Sequence, residues 1–169
     1  NFSERNSGST ENILTLPYDQ NNAGGFNLVQ MTLHYLSQNT YSLQEQPWNG
    51  YASLEEFYNS FDDNDARKNS FIVGPQFAAD GSRLNDISAE AGDPDGEPLT
   101  FTPEINMLSP NAFRQAGARV GKYEFATGAA SSLNNDYVLI RLGDIILIKA
   151  EAALRQGKTD AALAAVNQV

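Results

Sequence analysis

Apolar residues fall in short runs separated by long polar stretches, and only the last third of the chain is apolar over several helical turns. Ile13 to Leu16, bounded by Thr10, Glu11 and Pro17, reads as a short strand, and residues 21–25 read as a loop. Between Leu28 and Leu36 the apolar spacing is mixed, and helix cannot be told from strand. Tyr41 to Tyr51 is a polar, aromatic-studded loop containing Pro47, Trp48, Asn49 and Gly50. Leu54, Phe57, Tyr58 and Phe61 then repeat at helical spacing, which predicts a short helix with one buried face. Ser53 and Glu56 have the spacing of a capping box at its start, and the run Asp62, Asp63, Asn64, Asp65 breaks it. Phe71 to Val73 is a strand candidate. Gly74 to Pro110, dense in Gly, Pro, Asp and Ser, is mostly loop, and an irregular stretch that long is usually functional or mobile. Val120 to Phe125 and Tyr137 to Ile140 are further strand candidates.

Asp144 to Gln156 reads as a helix that is apolar on most sides through Ile145, Ile146, Leu147 and Ile148, and so should be buried on most sides. Glu151 and Arg155 make a favourable i, i+4 pair, and Lys149 should be solvated with Glu151 or meet further repeats. Arg141 and Asp144 should form an ion pair or cap at the helix start. Gly157 ends the helix, and Thr159 can cap a second one running from Asp160, with Leu163 and Val166 on one face. Two Ala-rich helices joined by a tight Gly turn form an αα-hairpin with the look of one tetratricopeptide-like unit. A single such unit cannot bury both of its faces, so neighbouring repeats are expected outside this sequence.

Composition narrows the classes. With 169 residues the chain suits one domain, and its 41% hydrophobic content, 7 Tyr and 9 Phe allow a packed core. A net charge of −10 with scattered basic residues argues against nucleic acid, whose phosphates need a basic patch. The absence of Cys excludes disulfides, thiol catalysis and zinc–thiolate sites. No run approaches the ~20 apolar residues of a membrane span. The chain opens at Asn1 without a leader and stops at Val169 inside a helical pattern, so both ends are expected to be cut from a longer protein.

The segment Asn135-Asp136-Tyr137-Val138-Leu139-Ile140-Arg141-Leu142-Gly143-Asp144-Ile145-Ile146-Leu147-Ile148-Lys149-Ala150-Glu151-Ala152, continued by Ala153-Leu154-Arg155-Gln156-Gly157, resembles the most recognisable part of the SusD/RagB family. Weaker matches follow the same order along the chain: Ser9 to Tyr18, Pro47-Trp48-Asn49-Gly50, Phe61-Asp62, Asp65-Ala66-Arg67, Pro98 to Ile105 and Gly121-Lys122-Tyr123-Glu124. The resemblance implies a lipoprotein on the outer face of the cell outer membrane that binds glycans and sits on a SusC-type TonB-dependent transporter. It also implies a scaffold of tetratricopeptide helices, with the N-terminal half, including the lipidated Cys, outside this sequence.

Candidate chemistry centres on the Trp48 loop. Sugars stack their C–H faces on aromatic rings and take fork-like hydrogen bonds from Asn and Gln, so Trp48, Asn49, Tyr51 and Tyr41 are the candidate glycan-binding residues. Set against this, large aromatics are biased toward burial, which reads Trp48 as a loop anchor packed on the core. Glu55, Glu56, Asp62, Asp63 and Asp65 could supply a glycosidase pair only with two carboxyls across a cleft and one pKa raised, which nothing in the pattern arranges. Asp62, Asp63 and Asp65, and separately Asp93, Asp95 and Glu97, resemble calcium-loop spacing without a complete ligand set, and turns are the simpler reading. His34, the single His, is read as structural or as an exposed polar group, and no phosphate-binding Gly loop is present. No cofactor, metal or catalytic residue is therefore assigned.

Together these readings give a mainly α fold: a loop-rich SusD-like region over residues 1–135 with a few short strands, and a truncated helical hairpin over 136–169, in one structural unit. The expected function is non-catalytic capture of an oligosaccharide or polysaccharide for a TonB-dependent transporter. The alternatives are a tetratricopeptide-type protein-interaction module and a glycoside hydrolase.

Overall fold

In the computed structural model, residues 2–87, 98–110 and 112–169 are described. An antiparallel ribbon joins the two ends of the chain: β1 (Asn12–Leu16) pairs with β6 (Tyr137–Arg141), Asn12 opposite Arg141 and Leu16 opposite Tyr137, with register shifts between. The N-terminal strand therefore packs with the C-terminal segment, across 120 residues of intervening chain. The ribbon runs straight into α4 (Leu142–Arg155). Its first turn is fixed from two sides. The Arg141 amide donates to Asp144 Oδ2 at 3.0 Å, and the Leu142 amide donates to the Glu11 carbonyl at 2.8 Å. Asp144 thus acts as a cap, while the ion-pair partner of Arg141 is Glu11, at 3.3 Å.

Gly157 takes the left-handed conformation (φ 71°) that ends α4. The chain then returns as α5 (Thr159–Val166), which packs on α4. Ala150, Ala162 and Ala165 are buried at that contact, where small side chains let the helices approach. The Glu151–Arg155 pair forms at 2.6 Å on the exposed side. Burial of α4 on most sides does not hold: Ile145, Leu147, Ile148 and Leu154 are exposed, because α5 covers one side only.

The remainder is built from short pieces. Helices α1 (Leu28–Thr32), α2 (Ser37–Tyr41) and α3 (Glu55–Asn59) have 5 residues each. A 3-10 turn spans Ala66–Ser70. Strand β2 (Phe71–Ile72) pairs with β5 (Arg119–Val120), and β3 (Gly74–Pro75) pairs with β4 (Thr100–Phe101). The main core gathers Phe26, Val29, Leu33, Leu43, Tyr123 and Leu133, and a second one gathers Leu84, Leu99 and Phe101.

The expectation of a mainly α fold is corrected by this arrangement, which mixes short helices with three two-stranded sheets among the described residues. The physical reason is local. Isolated helices shorter than about 12 residues barely form on their own, and the Gly-, Pro- and Asn-rich stretch before residue 136 never sustains helical spacing for that long. Instead, turns and isolated bridges such as Ser53–Ala118 carry the chain.

Three local readings shift as well. Ser53 does not cap α3: its amide is bound to the Ala118 carbonyl at 2.8 Å and its hydroxyl to the Leu54 carbonyl at 3.1 Å, so the helix starts two residues later. The face of α3 is not buried, with Leu54 51% and Phe57 57% exposed, and its rings cluster with Phe61 and Phe71 at the surface. The strand read over Val120 to Phe125 stops at Val120, since Tyr123 adopts a positive φ of 70° that turns the chain. The ambiguous stretch after Leu28 is helical as far as Thr32.

Candidate functional site

A cavity of about 610 Å³ opens between two chain segments, one running from Trp48 to Leu54 and the other from Ile105 to Arg119. The first wall is set by α1. The last carbonyls of a helix lack intrahelical partners, and here the loop that follows α2 supplies them. The Trp48 amide donates to Gln30 O at 2.7 Å, and the amides of Gly50 and Tyr51 donate to Met31 O at 2.7 and 3.2 Å. The Asn49 amide reaches Leu33 O at 3.0 Å. Gly50 is required by this closeness, because a Cβ there would stand 2.9 Å from Met31 O. Pro47 is buried and anchors the loop, which turns the Trp48 ring outward.

Of the four candidate sugar-binding residues, the structure brings three together. Trp48 is 56% exposed and Tyr51 45% exposed on the same rim, so Trp48 is not a core anchor. Asn49 also lines the cavity, with its backbone left-handed at φ 53°. Its side chain is engaged: Oδ1 accepts from Arg119 Nη2 at 2.8 Å, and Nδ2 donates to Arg114 O at 3.2 Å. Tyr41 lies elsewhere. It packs half-buried against Phe125, ring centroids 4.9 Å apart, and burial pushes its phenol pKa up. Met107 and Leu108, both exposed, add apolar surface on the opposite wall.

Behind the cavity lies a buried polar cluster that no local pattern announced. Asp86 accepts the Tyr35 hydroxyl at 2.5 Å and lies 3.3 Å from both His34 Nε2 and Arg114 Nε. The Leu36 amide donates to His34 Nδ1 at 3.2 Å, which places the ring proton on Nε2, facing Asp86. Burial holds the His34 pKa down at about 4, outweighing the pull of Asp86, and the nearby Arg119 and Arg114 add to the depression. His34 is thus structural, as read, but in a carboxylate constellation. His34 and Asp86 are 52 positions apart, and only the fold joins them. Arg119 did carry a sequence signal, an unbroken run of small and apolar neighbours from Ala116 to Val120 around one charge.

Three of the carboxylates weighed for catalysis, Asp62, Asp63 and Asp65, are occupied outside the cavity, and Glu55 and Glu56 do not line it. Asp63 pairs with Lys68 at 2.7 Å, Asp65 with Arg67 at 2.5 Å, and Asp62 accepts from the Asn64 amide at 2.9 Å. The Arg67 contacts hold the Asp65 pKa at about 2. No Asp or Glu lines the cavity among the described residues, so these residues offer no acid with a raised pKa facing an ionised partner. No group of three or more His, Asp or Glu among the described residues is placed to hold a metal ion; Asp93, Asp95 and Glu97 lie outside them. No helix of the described residues is long and apolar enough to cross a membrane.

A second cavity of about 620 Å³ lies between Phe57, Phe61 and Phe71 on one side and Phe2 and Tyr123 on the other. Its rings of Phe57 on α3, Phe61 just beyond it and Phe71 on β2 already pack edge-on or tilted against one another.

The model of the SusD family matches residues 2–169, and the chain belongs to that family. Its members in general bind glycans for nutrient uptake, are non-catalytic, and are cell-surface proteins of the outer membrane that act with TonB-dependent transporters. No curated protein and no solved structure compared with the chain shows a significant match.

Proposed function

We propose that this chain contributes the glycan-contacting rim of a non-catalytic nutrient-binding protein, with Trp48 and Tyr51 stacking on sugar rings. The protein hands an oligosaccharide or polysaccharide to a SusC-type TonB-dependent transporter, and it is held at the outer face of the outer membrane by a lipid anchor. The observation that carries this reading is the exposure of Trp48, the single tryptophan, on the rim of an open cavity in a family of glycan binders. Trp48 and Tyr51 on one wall face exposed Met107 and Leu108 on the other, and a contiguous exposed apolar surface of that kind marks a binding site. A flat sugar face fits the Trp48 ring, and the hydroxyl of the half-exposed Tyr51 supplies a polar handle beside it.

The test is a panel of soluble polysaccharides, namely starch, xylan, mannan, pectin and mixed-linkage β-glucan, run by affinity electrophoresis and by reducing-sugar release. Retardation on at least one member without release of reducing ends is the expected result. Release of reducing ends, or no retardation on any member by the intact protein, contradicts it.

A further inference from the structure

We infer that Asn49 and Arg119 are positioning residues that lock the two walls of the Trp48 cavity together, an inference that rests on the glycan-binding reading of that cavity. Asn49 is here not a sugar contact but the bolt between the walls.

The geometry is specific. Arg119 is 3% exposed, and among the described residues its guanidinium donates only to neutral oxygens. Nη1 donates to Ala116 O at 2.8 Å and to Gly117 O at 3.2 Å, while Nη2 donates to Arg114 O and to Asn49 Oδ1. Three of those acceptors belong to the segment 114–117, which is one wall. The fourth, Asn49, belongs to the other. Asn49 closes the loop by donating its own Nδ2 to Arg114 O. The Phe101 ring centroid lies 4.9 Å from the guanidinium carbon, a cation–π contact on the same group. The walls meet again where the Ser53 amide donates to Ala118 O at 2.8 Å, but Asn49–Arg119 is the contact adjacent to Trp48.

A buried cation held by neutral oxygens is costly, and here the four donations from Nη1 and Nη2 offset that cost while Nε makes none among the described residues. Burial accordingly draws the Arg119 pKa down to about 10. Such a residue tolerates little movement of its acceptors, so the Asn49 backbone, and the Trp48 ring attached to it, is fixed relative to the far wall. The left-handed backbone at Asn49 suits Asn and Gly better than other residues. Asn49→Gly therefore keeps the backbone conformation while deleting the amide, and Asn49→Asp keeps the acceptor for Arg119.

Trp48 is the single tryptophan, so its fluorescence reports the rim directly. Acrylamide quenching and anisotropy of Trp48 should show a looser, more accessible ring in Asn49→Gly and values close to the parent in Asn49→Asp. Affinity for whichever polysaccharide of the panel is retarded should fall about tenfold in Asn49→Gly, the scale of one charge-assisted hydrogen bond, and recover in Asn49→Asp. Unchanged quenching in Asn49→Gly overturns the lock whatever the ligand. Weakened binding with unchanged quenching and no recovery in Asn49→Asp also overturns it, by making Asn49 a direct sugar contact. Binding that survives Trp48→Ala defeats the reading of the site, and leaves the quenching comparison standing as the separate test of the lock.

Discussion

His34 and Asp86 meet at 3.3 Å in the interior behind the Trp48 cavity, with no exposure of the imidazole. The pair makes stability depend on pH in a defined direction. His34 has a folded pKa of about 4, below its ordinary 6.5, so the folded state keeps it neutral while the unfolded chain protonates it. The unfolded state binds the extra proton between those two values. Stability from this group is therefore full above pH 6.5 and is lost as pH falls toward 4, by roughly 3 kcal/mol at the limit. Urea melts from pH 7 to pH 4 should show that loss, and His34→Gln should flatten the part of the slope between pH 6.5 and 4. An unchanged slope in the variant contradicts the assignment.

Gly117 sits at φ 83°, and a Cβ on it would stand 2.6 Å from the Ala52 Cβ and 3.0 Å from Ser53 O. Gly117→Ala should therefore cost roughly 2–4 kcal/mol, from backbone strain and overpacking together. Because Ala52 belongs to the Trp48 wall, the variant should also alter Trp48 emission. A melt within experimental error of the parent would show that the walls can part freely.

The α4–α5 hairpin exposes Ile148 at 61%, Leu163 at 59% and Val166 at 48%. A surface of that kind drives association in water. The chain in isolation should bind a hydrophobic dye and self-associate in light scattering, and the double substitution Ile148→Lys with Leu163→Lys should suppress both. Its stability should change by no more than about 0.5 kcal/mol, since neither side chain is in the core. Equal dye binding by parent and variant would place the sticky surface elsewhere.

The hairpin was the most legible part of the sequence. Long helices with an Ala contact face and a Gly stop depend on local spacing, so the observed Leu142–Arg155 and Thr159–Val166 depart little from the pattern. The ribbon strands were legible for the same reason, though nothing local says that Asn12–Leu16 pairs with Tyr137–Arg141. The α3 cap failed because a distant partner, Ala118, claims the Ser53 amide. Tyr41 shared its chemistry with Trp48 but not its place, since Phe125 draws it into the core. Trp48 and Tyr51 were legible through spacing within one loop. Arg119 stood out only by its small and apolar neighbours; its grouping with Asn49, and that of Arg114 with Asp86, exists only once separate segments fold together.

The most direct test of the glycan-binding account is Trp48→Ala in the intact protein, with polysaccharide titration and denaturant melts on the same preparation. Aromatic stacking of about 1–3 kcal/mol per ring sets the scale, so affinity should fall roughly 5- to 150-fold. Stability should change little, because the ring is 56% exposed. Affinity per folded molecule equal to the parent's would contradict the account and remove Trp48 from the binding site.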